Sequence, residues 1–222
     1  ASDVYKRQFC NSIDSIDSFY RLIPELSNAC TFCSEDGQYK LWKGNRRKKS
    51  MMITELERYN FFTSRFYSAV DILCKNPPHV IFVSDLYGAA QSVIDPATEA
   101  IQIIGRFRGG VNSVTHIASI RPELECMSSS EIDHWIQGAS TIFNGWKAQL
   151  ARTTNIGERT LLQEAIGENS YLPYLDENGK PDSFLIANFY EKEQVKRLYT
   201  SADLLHLSLI HISEPTRLAL IS

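Results

Sequence analysis

Four consecutive apolar residues, Val80-Ile81-Phe82-Val83, bounded by His79 and Ser84, constrain this chain more than any other feature. A strand wetted on one face alternates apolar and polar residues, whereas an unbroken β-branched and aromatic run belongs to a strand covered on both faces. Two-sided burial is the condition of a parallel sheet whose strands are joined by crossover helices. Less continuously apolar runs at 9–11, 30–33, 60–63 and 113–118 repeat the signal, with polar or helical stretches between them. The expected fold class is α/β, a parallel sheet flanked by helices over 9–120, followed by a mostly helical extension over 123–206.

The extension is legible from periodicity. Ser128 precedes Glu131 by three residues, the spacing of a capping box. Ile132, Trp135, Ile136, Ala139, Ile142, Phe143, Trp146 and Leu150 then recur every three or four residues. Two more helices are expected over 158–166 and 184–199, separated by the turn-rich 176–181. The aromatic stripe reads as packing rather than chemistry.

Both ends look foreign to the fold. Residues 1–8, ASDVYKRQ, and the stretch from Leu207, LSLIHISEPTRLALIS, resemble translated sequencing-adaptor read-through, and the fold is expected to occupy the residues between. Charge and cysteine content exclude several classes. A net charge of -3 with 22% charged residues is not that of a basic nucleic-acid tail or of a disordered chain. Five scattered cysteines do not make a secreted disulfide framework, and no apolar run approaches the roughly 18 residues of a membrane span. A reducing, cytoplasmic setting without a membrane partner is expected.

Chemistry concentrates in 95–108. Asp95 can cap a helix whose first residue, Pro96, lacks only an N–H that would have no partner there. The helix is expected to run to Phe107, with Ala97, Ala100, Ile101 and Ile104 on its apolar stripe. It ends in Gln102-Ile103-Ile104-Gly105-Arg106-Phe107-Arg108. Two readings fit these arginines equally well. Planar, permanently charged guanidiniums suit a phosphate supplied from outside, with Gly105 allowing close approach. Alternatively, they are a solvated terminus opposing the negative end of the helix dipole.

Three segments in order resemble known motifs. Gln102 to Arg108 resembles the sixth motif of superfamily-two helicases, Gln-x-x-Gly-Arg-x-x-Arg, although the second arginine falls two residues after the first and Gly109 takes the expected place. Thr63-Ser64-Arg65-Phe66-Tyr67-Ser68-Ala69-Val70-Asp71-Ile72 resembles the fifth motif, with Ala69 where glycine is usual. Phe9-Cys10-Asn11-Ser12 resembles the fourth.

The resemblance covers about 9–120 and implies the second RecA-like motor domain of a DEAD/DEAH-type helicase, truncated at its front. It implies arginine fingers at Arg106 and Arg108, nucleotide contacts from Asp71, Gln102 and Gly105, and contacts from Asn11, Ser12, Thr63, Ser64 and Arg65 to a DNA or RNA backbone. It further implies ATP and Mg2+ held mainly by an upstream N-terminal RecA-like domain. The chain contains neither the Gly-x-x-x-x-Gly-Lys-[Ser/Thr] phosphate loop nor the acidic box that would do this. The competing reading is a non-catalytic nucleic-acid-binding or protein-interaction module on a motor-like fold.

The remaining features carry less. The basic run Lys40, Lys43, Arg46, Arg47, Lys48 and Lys49 suits phosphate contact or a solvated loop. Cys30 and Cys33 are expected on opposite strand faces, and the five histidines show no ligand grouping, so no metal site is expected.

Overall fold

The computed structural model describes residues 5–43, 49–53, 55–68 and 70–213. Six strands form one sheet: β1 (Lys6–Phe9), β2 (Cys30–Phe32), β3 (Lys49–Ser50), β4 (Tyr59–Phe62), β5 (His79–Ser84) and β6 (Ser113–Ala118). Their spatial order is β3-β2-β4-β1-β5-β6, and every neighbouring pair is parallel. Helices α1 (Ile13–Leu22) and α2 (Glu35–Lys43) follow β1 and β2, and α3 (Ile101–Gly105) lies between β5 and β6. The arrangement is a RecA-like parallel sheet flanked by helices.

Side-chain alternation along the strands builds one core on each face. Phe9, Phe32, Phe62, Val80 and Phe82 point to the face covered by Ala100, Ile103 and Phe107 and by the crossing segment with Phe66, Tyr67 and Ile72. Cys10, Cys33, Phe61 and Val83 point the other way, against Ile16 and Tyr20 of α1 and Leu41 of α2. The two-sided burial expected of Val80–Val83 is therefore present, with Ile81 half-buried. Cys30 and Cys33 fall in different cores, as expected from their strand spacing.

One rung of side chains crosses five strands in register. Phe32 lies opposite Phe62, Phe62 opposite Phe9, Phe9 opposite Phe82, and Phe82 opposite His116. The ring centroids of Phe32–Phe62 and Phe62–Phe9 are each 5.0 Å apart and stacked; Phe9–Phe82 and Phe82–His116 meet edge-on at 6.2 and 5.9 Å. Each such pair contributes about 0.5–1.5 kcal/mol beyond area burial. A one-residue slip of any strand would turn its ring to the opposite face.

The helix expected over 95–107 is present, but its first turn is wide. The Ala100 N–H donates to the Asp95 carbonyl five residues back, at 3.0 Å, so Pro96–Ala100 is a π-turn leading into α3. Asp95 accounts for this geometry. Its carboxylate accepts from the Ala97 amide at 2.9 Å and from the Thr98 hydroxyl at 2.5 Å, while Glu99 folds back onto the Asp95 amide at 2.9 Å. Asp95 thus caps the helix as expected, and the capping residues also set the wide turn.

The boundaries differ from those expected. The strand read as starting at Phe9 starts at Lys6, so Lys6, Arg7 and Gln8 join the central strand, paired with both β4 and β5. Ladder hydrogen bonds are made by backbone, so a position between two formed strands accepts almost any non-proline residue in extended form. The far end also differs. Leu124–Arg197 is one compact unit, whereas Leu198 onward groups with Ala1–Glu123, and α7 (Ala202–Ser213) runs past the expected boundary at Leu207. Residues 214–222 lie outside the described residues, as do Arg46, Arg47 and Lys48 of the basic run.

The second unit contains α4 (Ser129–Arg152), α5 (Ile156–Gly167) and α6 (Ser183–Leu198). Its capping box is formed: the Ser128 hydroxyl accepts from the Glu131 amide at 3.3 Å, and the Glu131 carboxylate accepts from the Ser128 amide at 2.7 Å. Trp135 packs edge-on against Tyr174 and Phe189, and Phe143 against Tyr171. The aromatic stripe of α4 is packing.

Arg7 is a misfit in its strand. It is 2% exposed and donates through one Nη to the carbonyls of Lys6 and Glu57 at 3.0 and 3.1 Å. Its Nε has no acceptor, and burial pushes its pKa down. The neighbouring Gln8 Oε1 is buried without a donor. Replacing a poorly compensated buried cation by an apolar side chain should stabilise the domain, so Arg7→Leu is expected to raise unfolding stability by about 1–3 kcal/mol. Urea unfolding with an unchanged slope checks this; a lower midpoint for Arg7→Leu contradicts it.

Candidate functional site

The loops leaving the carboxyl ends of β1, β2 and β4 start at the residue after the aromatic rung, and crevices at that edge are where such sheets bind ligands. After β1 come Asn11 and Ser12, after β2 comes Ser34, and after β4 come Thr63, Ser64 and Arg65. All six, with Ile13, line one small concavity of about 150 Å³. The fold therefore gathers all five residues assigned by resemblance to backbone contact.

Their chemical availability differs. The Asn11 amide is a cross-tie: its Nδ2 donates to the Gln91 carbonyl at 3.0 Å, and its Oδ1 accepts from the Ser64 amide at 3.2 Å. Ser12 is buried and caps α1, accepting from the Ser15 amide at 3.2 Å. Thr63 is buried, with its hydroxyl 3.4 Å from the Phe32 carbonyl. Ser64, Arg65 and Ser34 are exposed and line the open side. Asn11, Ser12 and Thr63 thus shape the concavity, and Ser64 and Arg65 present donors to it. Ser34 was not singled out from sequence, although Ser-Glu-Asp directly after a strand is a helix-start pattern.

A second cluster forms around Asp71. Its Oδ2 accepts from the Arg108 Nε at 2.9 Å, and its Oδ1 lies 3.9 Å from an Arg106 Nη. The Ile72 amide also donates to the Arg106 carbonyl at 2.8 Å, tying the segment after β4 to the end of α3. The three residues assigned by resemblance to the two sides of a nucleotide site are therefore neighbours. Arg106 is partly buried, its side chain 27% exposed, and its Nε is buried without an acceptor. Arg108 is exposed, and its shorter contact shows that the two-residue spacing still brings both guanidiniums to one carboxylate.

The other two nucleotide assignments are not brought into this contact set. Gln102 is exposed on α3. A side chain built at Gly105 would meet nothing within 4 Å, so space there is open toward solvent. Gly110, at φ +78°, makes the turn out of the helix and needs its lack of Cβ. Ala69 lies outside the described residues.

Asp71 and Arg65 also border a wider cleft of about 930 Å³, walled by Met51, Met52, Leu56 and Val70. Among the described residues no three His, Cys, Asp or Glu side chains converge as metal ligands, and no helix is long and apolar enough to cross a membrane. No protein-family model matches the chain, and no curated protein matches it in a sequence search.

A buried polar network, unread from sequence, anchors the far side of the sheet. The Ser84 hydroxyl donates to the Ser92 carbonyl at 3.0 Å and lies 3.0 Å from His116 Nε2 and 3.1 Å from the Tyr199 hydroxyl. Tyr199 in turn donates to the Ile94 carbonyl at 2.7 Å and accepts from the Ile94 amide at 3.0 Å. With the Ser84 proton given to Ser92, His116 Nε2 carries a proton toward Ser84, which leaves Nδ1 bare and buried without a partner. Ser84 is 2% exposed, so the serine–histidine pair is structural rather than nucleophilic.

Burial pushes the His116 pKa down to about 4, because a second ring proton would have no acceptor. The unfolded chain, with its histidine near 6.5, takes up the proton first as pH falls, so stability is full above about pH 6.5 and declines toward pH 4. His116→Gln can keep a donor toward Ser84 but cannot titrate. Between pH 7 and pH 4 the parent chain should lose about 2–3 kcal/mol more stability than this variant, measured by urea unfolding. Equal losses would contradict the assignment.

Proposed function

We propose that the chain supplies the second RecA-like half of a superfamily-two, DEAD/DEAH-type helicase or translocase motor. ATP and Mg2+ are held mainly by an N-terminal RecA-like domain of the parent protein. In this reading Arg106, with Arg108, reaches the phosphates across the interdomain cleft and stabilises the charge that develops during phosphoryl transfer. Asp71 stands beside them on the nucleotide side, with Gln102 and Gly105 on the adjoining helix face. The concavity of Asn11, Ser12, Thr63, Ser64 and Arg65 takes the backbone of a DNA or RNA strand, which carries charge and little base information.

A single observation supports this reading most. Of the ten residues that the resemblance assigns to strand or nucleotide, eight gather into two clusters along those lines, five around the small concavity and three at Asp71, while Gln102 and Gly105 stay outside both. The crossing segment after β4 belongs to both, since it carries Thr63 at one end and Asp71 at the other. Domain closure on ATP therefore has a short covalent path to the strand-binding concavity. Repeated closure and release would move the motor along one strand.

Mechanistically, the guanidiniums offer several N–H donors in fixed planes, which match phosphate oxygens bidentately. They do not polarise a nucleophile or hold a metal. The isolated chain is accordingly expected to show no ATP turnover.

Joined to the domain encoded upstream of it, the chain should hydrolyse ATP in a nucleic-acid-stimulated manner, and Arg106→Ala should lower kcat by about a thousandfold or more. Steady-state phosphate release measures both. Hydrolysis by the isolated chain, or full activity of the joined Arg106→Ala protein, would refute the finger role. Strand binding by the joined protein without hydrolysis would favour the non-catalytic module.

A further inference from the structure

We propose that Asp71 is a built-in counter-ion for the two arginines, so that a polyphosphate reaches Arg106 and Arg108 by displacing a carboxylate instead of meeting free guanidiniums. The inference rests on the nucleotide-site reading above and specifies how that site is regulated.

The geometry leads there in three steps. First, two cations share one carboxylate: Arg108 Nε at 2.9 Å and an Arg106 Nη at 3.9 Å from Asp71, with no other ion pair to either arginine among the described residues. One anion cannot neutralise two guanidiniums, so this corner keeps a net positive charge and unused N–H donors. The Arg106 Nε, buried without an acceptor, is one of the donors left unsatisfied.

Second, the pair is cheap to exchange. The Arg108 and Asp71 side chains are 64% and 43% exposed, and ion pairs this open to water contribute little and are screened by salt. Asp71 therefore holds the arginines in place without binding them tightly. A multiply charged phosphate chain, able to bridge both guanidiniums at once, outcompetes a single carboxylate.

Third, the exchange is mechanically linked. Asp71 precedes Ile72, whose amide is bonded to the Arg106 carbonyl at 2.8 Å, and follows the segment that begins at Thr63. Expelling the carboxylate perturbs the strap that runs to the strand-binding concavity. Asp71 is thus a positioning residue whose release accompanies nucleotide engagement.

The test uses the 222-residue chain and inorganic tripolyphosphate at low ionic strength, followed by titration calorimetry. Asp71→Asn, nearly isosteric and exposed, should bind tripolyphosphate about fivefold more tightly than the parent chain, the upper range for an exposed ion pair. Asp71→Glu should restore the parent affinity. Glu55→Gln removes a negative charge from the same cleft without touching either arginine and should change affinity by less than about twofold. Equal unfolding midpoints establish that all variants fold alike.

Unchanged or weaker binding by Asp71→Asn overturns the counter-ion role while leaving the polyphosphate site standing. Equal tightening by Glu55→Gln also overturns it, because the effect is then general electrostatics. Failure of every chain to bind tripolyphosphate overturns this inference as well, and ATP hydrolysis by the joined protein then decides the motor reading separately.

Discussion

The in-register rung Phe32–Phe62–Phe9–Phe82–His116 is the interaction on which the rest of the α/β unit depends. A parallel sheet has no tight hairpins to fix strand offsets, so register must come from side chains. Here the rings do it, and they sit at the last or near-last residue of β2, β4 and β1. The loops after β1, β2 and β4 consequently start at the same height. Ser34, Thr63–Arg65 and Asn11–Ser12 share one concavity because the rung levels the strands that launch them. At the other end of the row, His116 meets the Tyr199 ring at 5.9 Å, and the Tyr199 hydroxyl, 3.1 Å from that of Ser84, holds the Ile94 backbone just before the capped π-turn.

Charge enters at a different level. The segment after β4 drops from the carboxyl edge, covers the sheet with Phe66, Tyr67 and Ile72, and delivers Asp71 to the end of α3. Burial of those apolar residues fixes the path, while the carboxylate it carries is open to solvent. The same segment therefore combines a buried inner face with a solvent-exposed charge. That division suits a coupling element: packing transmits position, and an ion pair of low net worth can be broken without unfolding.

Much of this was legible in the sequence, for reasons that can be traced. Val80–Val83 announced two-sided burial because its period matched no half-wetted strand, and Asp95-Pro96 announced a helix start because capping chemistry is local. Asn11, Thr63, Asp71 and Arg106 are singled out only by ordered resemblance, which no property of the single residues supplies. What escaped was non-local. The Ser84–His116–Tyr199 network joins residues 115 positions apart, and nothing near His116 marks it as a donor to Ser84. The shared carboxylate of Arg106 and Arg108 was equally hidden, since the distance from Asp71 is set by packing of the intervening segment. Arg7 and Gln8 show the converse, a strand imposed on residues whose side chains do not suit it, because backbone pairing is indifferent to what projects from it.

The rung's control of the site edge is most directly tested by amide hydrogen exchange at Cys10 and Thr63, whose N–H groups donate to the Phe62 and Phe32 carbonyls at 3.0 and 3.1 Å. The account predicts that both exchange only through global unfolding, as slowly as the amide of Phe82, and that Phe62→Leu speeds all three together. Exchange of Cys10 and Thr63 through local opening, while Phe82 stays protected, would contradict it.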